Sequence, residues 1–209
     1  MRVIQLAEGV EQAAEAAVTV LRAGGVVVMP MDTSYGLAAD ATNGAAVEKV
    51  YHIKDRAAKE PLSVIVADRD AARAVADVSP DAEKLWRAFM PGLLTIVLPL
   101  AEGIDMPVAS DDGNIGLRQP DHELTAACAR AFGGPYTATS ANMSGQSAAH
   151  SLEEFVLQLG DGAAPDLAID GGTVPDSPSS TVVSVRAGLE IVREGAIPRA
   201  DIEAVIAID

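Results

Sequence analysis

PMDTSYGLAADATNGAAVEKVYHIKDRAAKEPL, Pro30 to Leu62, carries four of the chain's fifteen basic residues, Lys49, Lys54, Arg56 and Lys59, within eleven positions. Two apolar runs frame it. Gly24 to Met29, GGVVVM, is a Val run bounded by Gly and Pro, the pattern of a buried strand, and Leu62 to Ala67, LSVIVA, is the next. Between them Pro30, Asp32, Thr33, Ser34 and Gly36 suit a loop at a strand end. GAAVEKVYHIK then spaces Val47, Val50, Tyr51 and Ile53 helically behind an Asn43 N-cap. Strand, hydroxyl-bearing loop, helix, cations and strand make one unit of an α/β sheet, and ligands of such sheets sit at the carboxyl ends of strands. If the chain is extended past the helix, Lys54 and Arg56 face one phosphate or carboxylate site. Taken alone, the same residues also fit a solvated charged surface and ordinary turn chemistry.

Outward from this unit the same alternation continues. Residues 2 to 6 read as a strand, and Glu8 to Ala23 as a helix with Val10, Ala13, Ala14, Ala17, Val18 and Leu21 on one stripe, ended by Gly24 and Gly25. Downstream, helices are expected over Asp70 to Ala76 and Pro80 to Phe89, the latter with Ser79 as N-cap and Pro80 in its first turn. LLTIVL after Pro91 and Gly92 is a strand, as is Ile115 to Pro120, which carries Arg118; Asp121 is placed to cap a helix running to Phe132. Tyr136 to Thr139 reads as a strand leading into SANMSG, where Ser140, Asn142 and Ser144 offer hydroxyls, an amide and exposed N–H groups of the kind that cradle phosphate. Ser151 and Glu154 make a capping box for LEEFVLQL. DLAIDGG is a strand, and PDSPSSTVVSV is a loop entering another. LEIVREG returns through a turn at Arg186, Ala187 and Gly188, with Arg193 at its end. Strands alternating with helices place the chain in the α/β class and favour a single domain.

Composition excludes several function classes. The formal net charge is −15, with 30 acids against 15 bases. Binding to duplex nucleic acid through a general basic field is therefore not expected, whereas a local cation cluster still suits a small polyanion such as ATP. A single cysteine, Cys128, allows no internal disulfide, and its Ala-rich helical setting marks a core residue. The N-terminus shows neither a signal peptide nor a membrane span, so a soluble cytoplasmic protein is the default. His122 and His150 lack partners at metal-ligand spacing, and no metal-binding residues are expected. Walker, dinucleotide-fingerprint and Gly-x-Ser-x-Gly patterns are absent.

Seven short blocks occur in a telling order: P-x-D-T-S-Y-G-L at 30–37, K-x-R-x-x-x-x-P-L at 54–62, P-G-x-x-T at 91–95, L-R-x-P-x-H at 117–122, S-A-N-x-S-G at 140–145, S-T-V-V at 180–183 and V-R-E-G at 192–195. In this order they resemble the YrdC-like family over nearly the whole chain. The resemblance implies a single twisted α/β domain over residues 1–209 with a mixed sheet, flanking helices and a large concave cleft, and the additional C-terminal domain of some members is not expected. It also implies a nucleotidyltransferase activity: L-threonine, bicarbonate or CO2, and ATP give L-threonylcarbamoyl-AMP and pyrophosphate. A separate transferase then uses the product to modify tRNA adenosine.

By the same resemblance Lys54, Arg56, Ser140 and Asn142 form the catalytic tetrad. Thr33 and Tyr35, with Arg56, line the threonine pocket. ATP is held by Lys54, Arg118, Ser140, Asn142, Ser180 and Arg193, and Mg2+ arrives with ATP rather than in a protein cage. No stable nucleic-acid complex and no membrane association are expected. Met31, Asp32 and Ser34 depart from the family's Pro-Thr-Glu-Thr-Val, Met90 and Leu93 from its Trp-Pro-Gly-Pro, and Ala57 from its Pro after the Arg. Two further readings stay open: a paralogue that makes a related carbamoyl adenylate on another acceptor, and a non-catalytic RNA-binding module of the same fold.

Overall fold

The computed structural model describes residues 1–56, 60–186 and 188–207. Ala57, Lys59 and Ala187, each used in reading the sequence, lie outside the described residues. In chain order the elements are β1 (Arg2–Gln5), α1 (Val10–Arg22), β2 (Val27–Pro30), β3 (Tyr35–Ala38), α2 (Gly44–Lys54), β4 (Val64–Ile65), α3 (Arg69–Arg73), α4 (Pro80–Phe89) and β5 (Leu94–Pro99). They continue with β6 (Asn114–Arg118), α5 (Glu123–Phe132), β7 (Tyr136–Thr137), β8 (Thr139–Ser140), α6 (Leu152–Leu159), β9 (Leu167–Asp170), β10 (Thr181–Ser184), β11 (Glu190–Arg193) and α7 (Arg199–Ile206).

Helices form where the sequence supplies a cap and an apolar stripe. Asn43 Oδ1 accepts the Ala45 and Ala46 N–H groups at the start of α2, and Ser79 Oγ accepts Ala82 N–H at the start of α4. At α6 Ser151 Oγ accepts Glu154 N–H, while the Glu154 carboxylate reaches one residue further back, to His150 N–H. α5 departs from expectation. Its extended N-cap is His122, with no side-chain cap bond, because Asp121 sits one residue outside the helix entry.

The strands divide into two mixed sheets, ordered β1-β9-β2-β3-β8 and β11-β10-β5-β6-β4-β7, instead of the one sheet expected. The division runs through Tyr136 to Thr139. β7 pairs with β4 and β8 pairs with β3, so what reads as one strand crosses between sheets at Ala138. Thr137 ties the crossing: its Oγ1 accepts Ala39 N–H at 3.0 Å and donates to Leu37 O at 2.9 Å. A second difference lies at the hydroxyl-bearing loop, which is shorter than its composition suggests. β3 begins at Tyr35 and pairs antiparallel with β2, placing Pro30 opposite Tyr35 and leaving a tight connection over 31–34.

β2 is buried on both faces. Val28 joins Leu37, Leu94, Ile96 and Leu117 in a core shared by the two sheets. Val27 and Met29 pack with Ala17, Leu21, Leu124 and Cys128 beneath α1 and α5. Burial pushes the Cys128 thiol up to about 12. In the second sheet β5 and β6 bury one face: Leu94, Ile96 and Leu98 of β5 and Ile115 and Leu117 of β6 enter the shared core. Strand alternation therefore turns Thr95 and Arg118 to the opposite face, where a cleft opens. No helix among the described residues is long and apolar enough to cross a membrane.

Candidate functional site

The cleft has a volume of about 550 Å³. Seven of the nine site residues expected from the sequence line it: Thr33, Tyr35, Arg56, Arg118, Ser140, Ser180 and Arg193. The 31–34 connection, β3, the end of α2, β6, β8 and the approach to β10 thus converge from blocks far apart in the chain. Lys54 and Asn142 are not on the lining.

Lys54 ends α2, and Asp55 after it is left-handed, with φ 48°. The chain is therefore not extended there, and Lys54 and Arg56 do not share one direction. Lys54 is 3% exposed. Its Nζ donates to Ser140 O, to Asn142 O at 3.0 Å and to Asn142 Oδ1 at 2.9 Å. An ammonium has three N–H bonds, so all three are engaged. Burial first, and the Arg56 cation second, lower its pKa to about 8. Asn142 Oδ1 also accepts Ser140 Oγ–H at 2.5 Å, and its amide donates to Met143 O and Gln146 O. Lys54 thus acts as a brace beneath the Ser140–Asn142 turn, from which Ser140 reaches the cleft.

Tyr35 contributes a wall more than a hydroxyl. The side chain is fully buried; its OH donates to Gly172 O at 2.8 Å and accepts Gly171 N–H at 2.9 Å, and burial raises its pKa. Arg118 is paired with Asp32 through one nitrogen, Nη2, which donates to the two carboxylate oxygens at 2.7 and 2.8 Å, with both side chains buried. Its Nε is buried with no hydrogen-bond partner among the described residues. Arg193 donates to Ser180 O at 2.7 Å and to Ser180 Oγ at 3.3 Å; its pKa is lowered by burial and then by the nearby Arg118 cation. Arg56 is paired with Glu60 at 2.6 Å.

Charge at the site opposes that of the whole molecule. Three guanidinium groups share the cleft of a chain with net charge −15. Asp32 offsets Arg118 and Glu60 offsets Arg56, whereas Arg193 bonds only neutral oxygens among the described residues, and Asp176 adds one exposed carboxylate to the lining. Surplus N–H and O–H donors on three guanidinium groups and neighbouring hydroxyls, in a partly dehydrated cleft, suit an anion. Sequence reasoning missed Asp32, Thr95, His150 and the run from Asp176 to Ser179. Asp32 and Thr95 stand inside quoted motifs and were legible there; His150 and the 176–179 run carry no local signal, since only the tertiary fold brings them to the cleft. Among the described residues no group of three or more His, Cys, Asp or Glu side chains is placed to hold a metal ion.

Comparison with known proteins gives a consistent picture. A family model for Sua5, YciO and YrdC, described as telomere recombination, matches residues 19–195. The threonylcarbamoyl-AMP synthase of Mus musculus is 38% identical over 195 residues, covering 90% of this chain and 68% of that protein. That of Bacillus subtilis is 36% identical over 198 residues, covering 93% of this chain and 56% of the relative. The crystal structure of P. abyssi Sua5 complexed with L-threonine superposes with a TM-score of 0.87 at 28% identity, covering 99% of this chain and 60% of that one. The chain thus spans less than two thirds of the B. subtilis and P. abyssi proteins.

Proposed function

This chain belongs to the Sua5, YciO and YrdC family, and we propose that it converts L-threonine, CO2 or bicarbonate, and ATP into L-threonylcarbamoyl-AMP and pyrophosphate. The observation that carries this reading is the cleft itself: three arginines and several hydroxyls around about 550 Å³ in an otherwise acidic chain. That volume lies within the range of small-molecule sites, and its donors suit phosphate and carboxylate oxygens. The names of the relatives support threonine and ATP as substrates.

The chemistry asks for positioning and charge neutralisation rather than a covalent nucleophile. The threonine amine adds to CO2, giving a carbamate and releasing one proton. A carbamate oxygen then attacks the α-phosphorus of ATP; the bond from that phosphorus to the bridging oxygen breaks, and pyrophosphate leaves with the electron pair. Arg56, Arg118 and Arg193 would offset the charge that builds on transferring and leaving oxygens, and Ser140, whose hydrogen is held by Asn142 Oδ1, would turn its hydroxyl from that acceptor to a phosphate oxygen when the nucleotide is bound. Thr33 and the Tyr35 wall would hold the amino acid beside Arg56. Lys54 and Asn142 would act one step back, by fixing the turn that presents Ser140. Mg2+ would enter on the phosphates of ATP and neutralise part of their charge.

The product would pass to a separate transferase for threonylcarbamoyl modification of tRNA adenosine, in the cytoplasm and without a stable nucleic-acid complex of this chain. Met31 lines the cleft where the family pattern has Thr, which motivates the alternative of a different acceptor amino acid. Pyrophosphate release from ATP, bicarbonate and Mg2+, with and without L-threonine, separates the readings. Threonine-dependent release supports the proposal, threonine-independent release moves the protein to the paralogue, and no release overturns both.

A further inference from the structure

We propose that Thr95 is a substrate-binding residue: with Ser180 it presents one unpaired hydroxyl hydrogen to a substrate oxyanion at the Arg118–Arg193 end of the cleft. The inference rests on the function proposed above and extends its binding site to a residue that function leaves unused.

Thr95 closes the P-G-x-x-T block and sits on β5 between Leu94 and Ile96, which both enter the core. It faces the other way, lines the cleft and is 2% exposed. Its rotamer has a visible cause. A Cβ at Gly116 on the adjacent strand would lie 3.2 Å from the Thr95 methyl carbon and 2.8 Å from Ser63 Oγ, so the absence of a side chain at Gly116 leaves a seat for that methyl. A β-branched residue with its methyl seated has its hydroxyl direction fixed. Parallel pairing sets Val182 of β10 opposite Thr95, which brings the residue preceding that strand alongside. Thr95 Oγ1 is 3.0 Å from Ser180 Oγ.

Counting hydrogens then decides the chemistry. The two hydroxyls carry two hydrogens and share one hydrogen bond, which uses one of them. Ser180 Oγ additionally accepts from Arg193. Whichever hydroxyl donates to the other, one O–H is left with no acceptor among the described residues. Beside it stand the Arg193 guanidinium and Arg118, whose Nε–H is also without an acceptor. Buried donors without acceptors cost free energy unless a ligand satisfies them. A group that only accepts, with negative charge to meet the two arginines, is an oxyanion: the carboxylate of the amino acid or a phosphate of ATP. A threonine serving strand packing alone would be replaceable by valine without consequence.

The test is calorimetric binding of ATP and of L-threonine, each alone and in the presence of the other, to the wild type, Thr95→Val and Thr95→Ser. Thr95→Val keeps the shape and removes the hydroxyl; it should weaken one ligand by roughly ten- to a hundredfold, as for a hydrogen bond to a charged group. Weakened ATP identifies a phosphate as the oxyanion and weakened threonine a carboxylate, while Thr95→Ser should recover most of the loss. If Thr95→Val does not fold, Thr95→Ala compared with Thr95→Ser is judged by the same criterion. Binding of both ligands by Thr95→Val within twofold of the wild type overturns the inference. Wild type that binds but releases no pyrophosphate overturns only the proposed function, and wild type that binds neither ligand overturns both.

Discussion

Replacing Lys54 by Met should cut turnover on the order of a hundredfold while changing stability little, because in stability two large effects oppose each other. Loss of the ammonium leaves Ser140 O and Asn142 O without their donor; Asn142 Oδ1 keeps the Ser140 hydroxyl. Two unsatisfied carbonyls cost about 2–6 kcal/mol together, at roughly 1–3 kcal/mol each. Against this, the pKa lowered from 10.5 to about 8 marks a charge held at a penalty of roughly 3 kcal/mol, which the apolar Met side chain removes. The net change is therefore on the order of −1 to +3 kcal/mol of destabilisation, by those same estimates. Trp86, the only tryptophan and a core residue, reports unfolding in urea by its fluorescence. Turnover should behave differently, since the Ser140–Asn142 turn loses its brace and a misplaced donor costs on the order of a hundredfold in rate. A folded Lys54→Met protein with wild-type pyrophosphate release would refute the brace, and so would a loss of stability far beyond this range with activity intact.

Other outcomes follow from the same geometry. As pH rises through about 8, Lys54 loses its proton and a neutral amine has two N–H bonds for three acceptors, so turnover should fall on the alkaline side of the wild-type pH–rate profile. The stability term has the opposite sign: the folded pKa lies below the unfolded 10.5, the unfolded state binds more protons between those values, and Lys54 makes the fold more stable as pH rises from 8 to 10.5. Urea midpoints of the wild type and Lys54→Met across that window check this, and a difference between them that does not change with pH contradicts it. Asp32→Asn leaves the buried Arg118 charge unmatched and should cost about 3–5 kcal/mol in urea unfolding; a cost under 1 kcal/mol would show that the pair is not desolvated. Cys128, buried with its thiol near 12, should resist alkylation at pH 8 in the folded protein and react promptly in urea. Fast modification of native protein would contradict that burial.

Where the sequence carried complete local signals, the structure followed it closely. Ser79 and Pro80 mark the start of α4 because the cap and first-turn chemistry are both local, and Arg186 to Gly188 separates two strands that pair antiparallel, although Ala187 itself lies outside the described residues. Seven scattered motif blocks located most of the cleft before any geometry was known. The failures are tertiary in cause. Tyr136 to Thr139 alternates like one strand, and only the pairing partners β4 and β3, distant in sequence, split it between two sheets. Lys54 and Arg56 stand two apart, and a single left-handed residue at Asp55, visible to no periodicity argument, sends one under the Ser140–Asn142 turn and the other to the cleft. Arg118 alone is ambiguous in sequence, since its partner Asp32 comes from a loop 86 positions away.

The most direct test of the central claim is mass analysis of the nucleotide formed from ATP, Mg2+, L-threonine and isotopically labelled bicarbonate. The account predicts L-threonylcarbamoyl-AMP carrying the labelled carbon, formed with pyrophosphate and absent when threonine is left out. Unlabelled AMP alone, or no nucleotide product beyond ATP from a folded, ATP-binding protein, would contradict it.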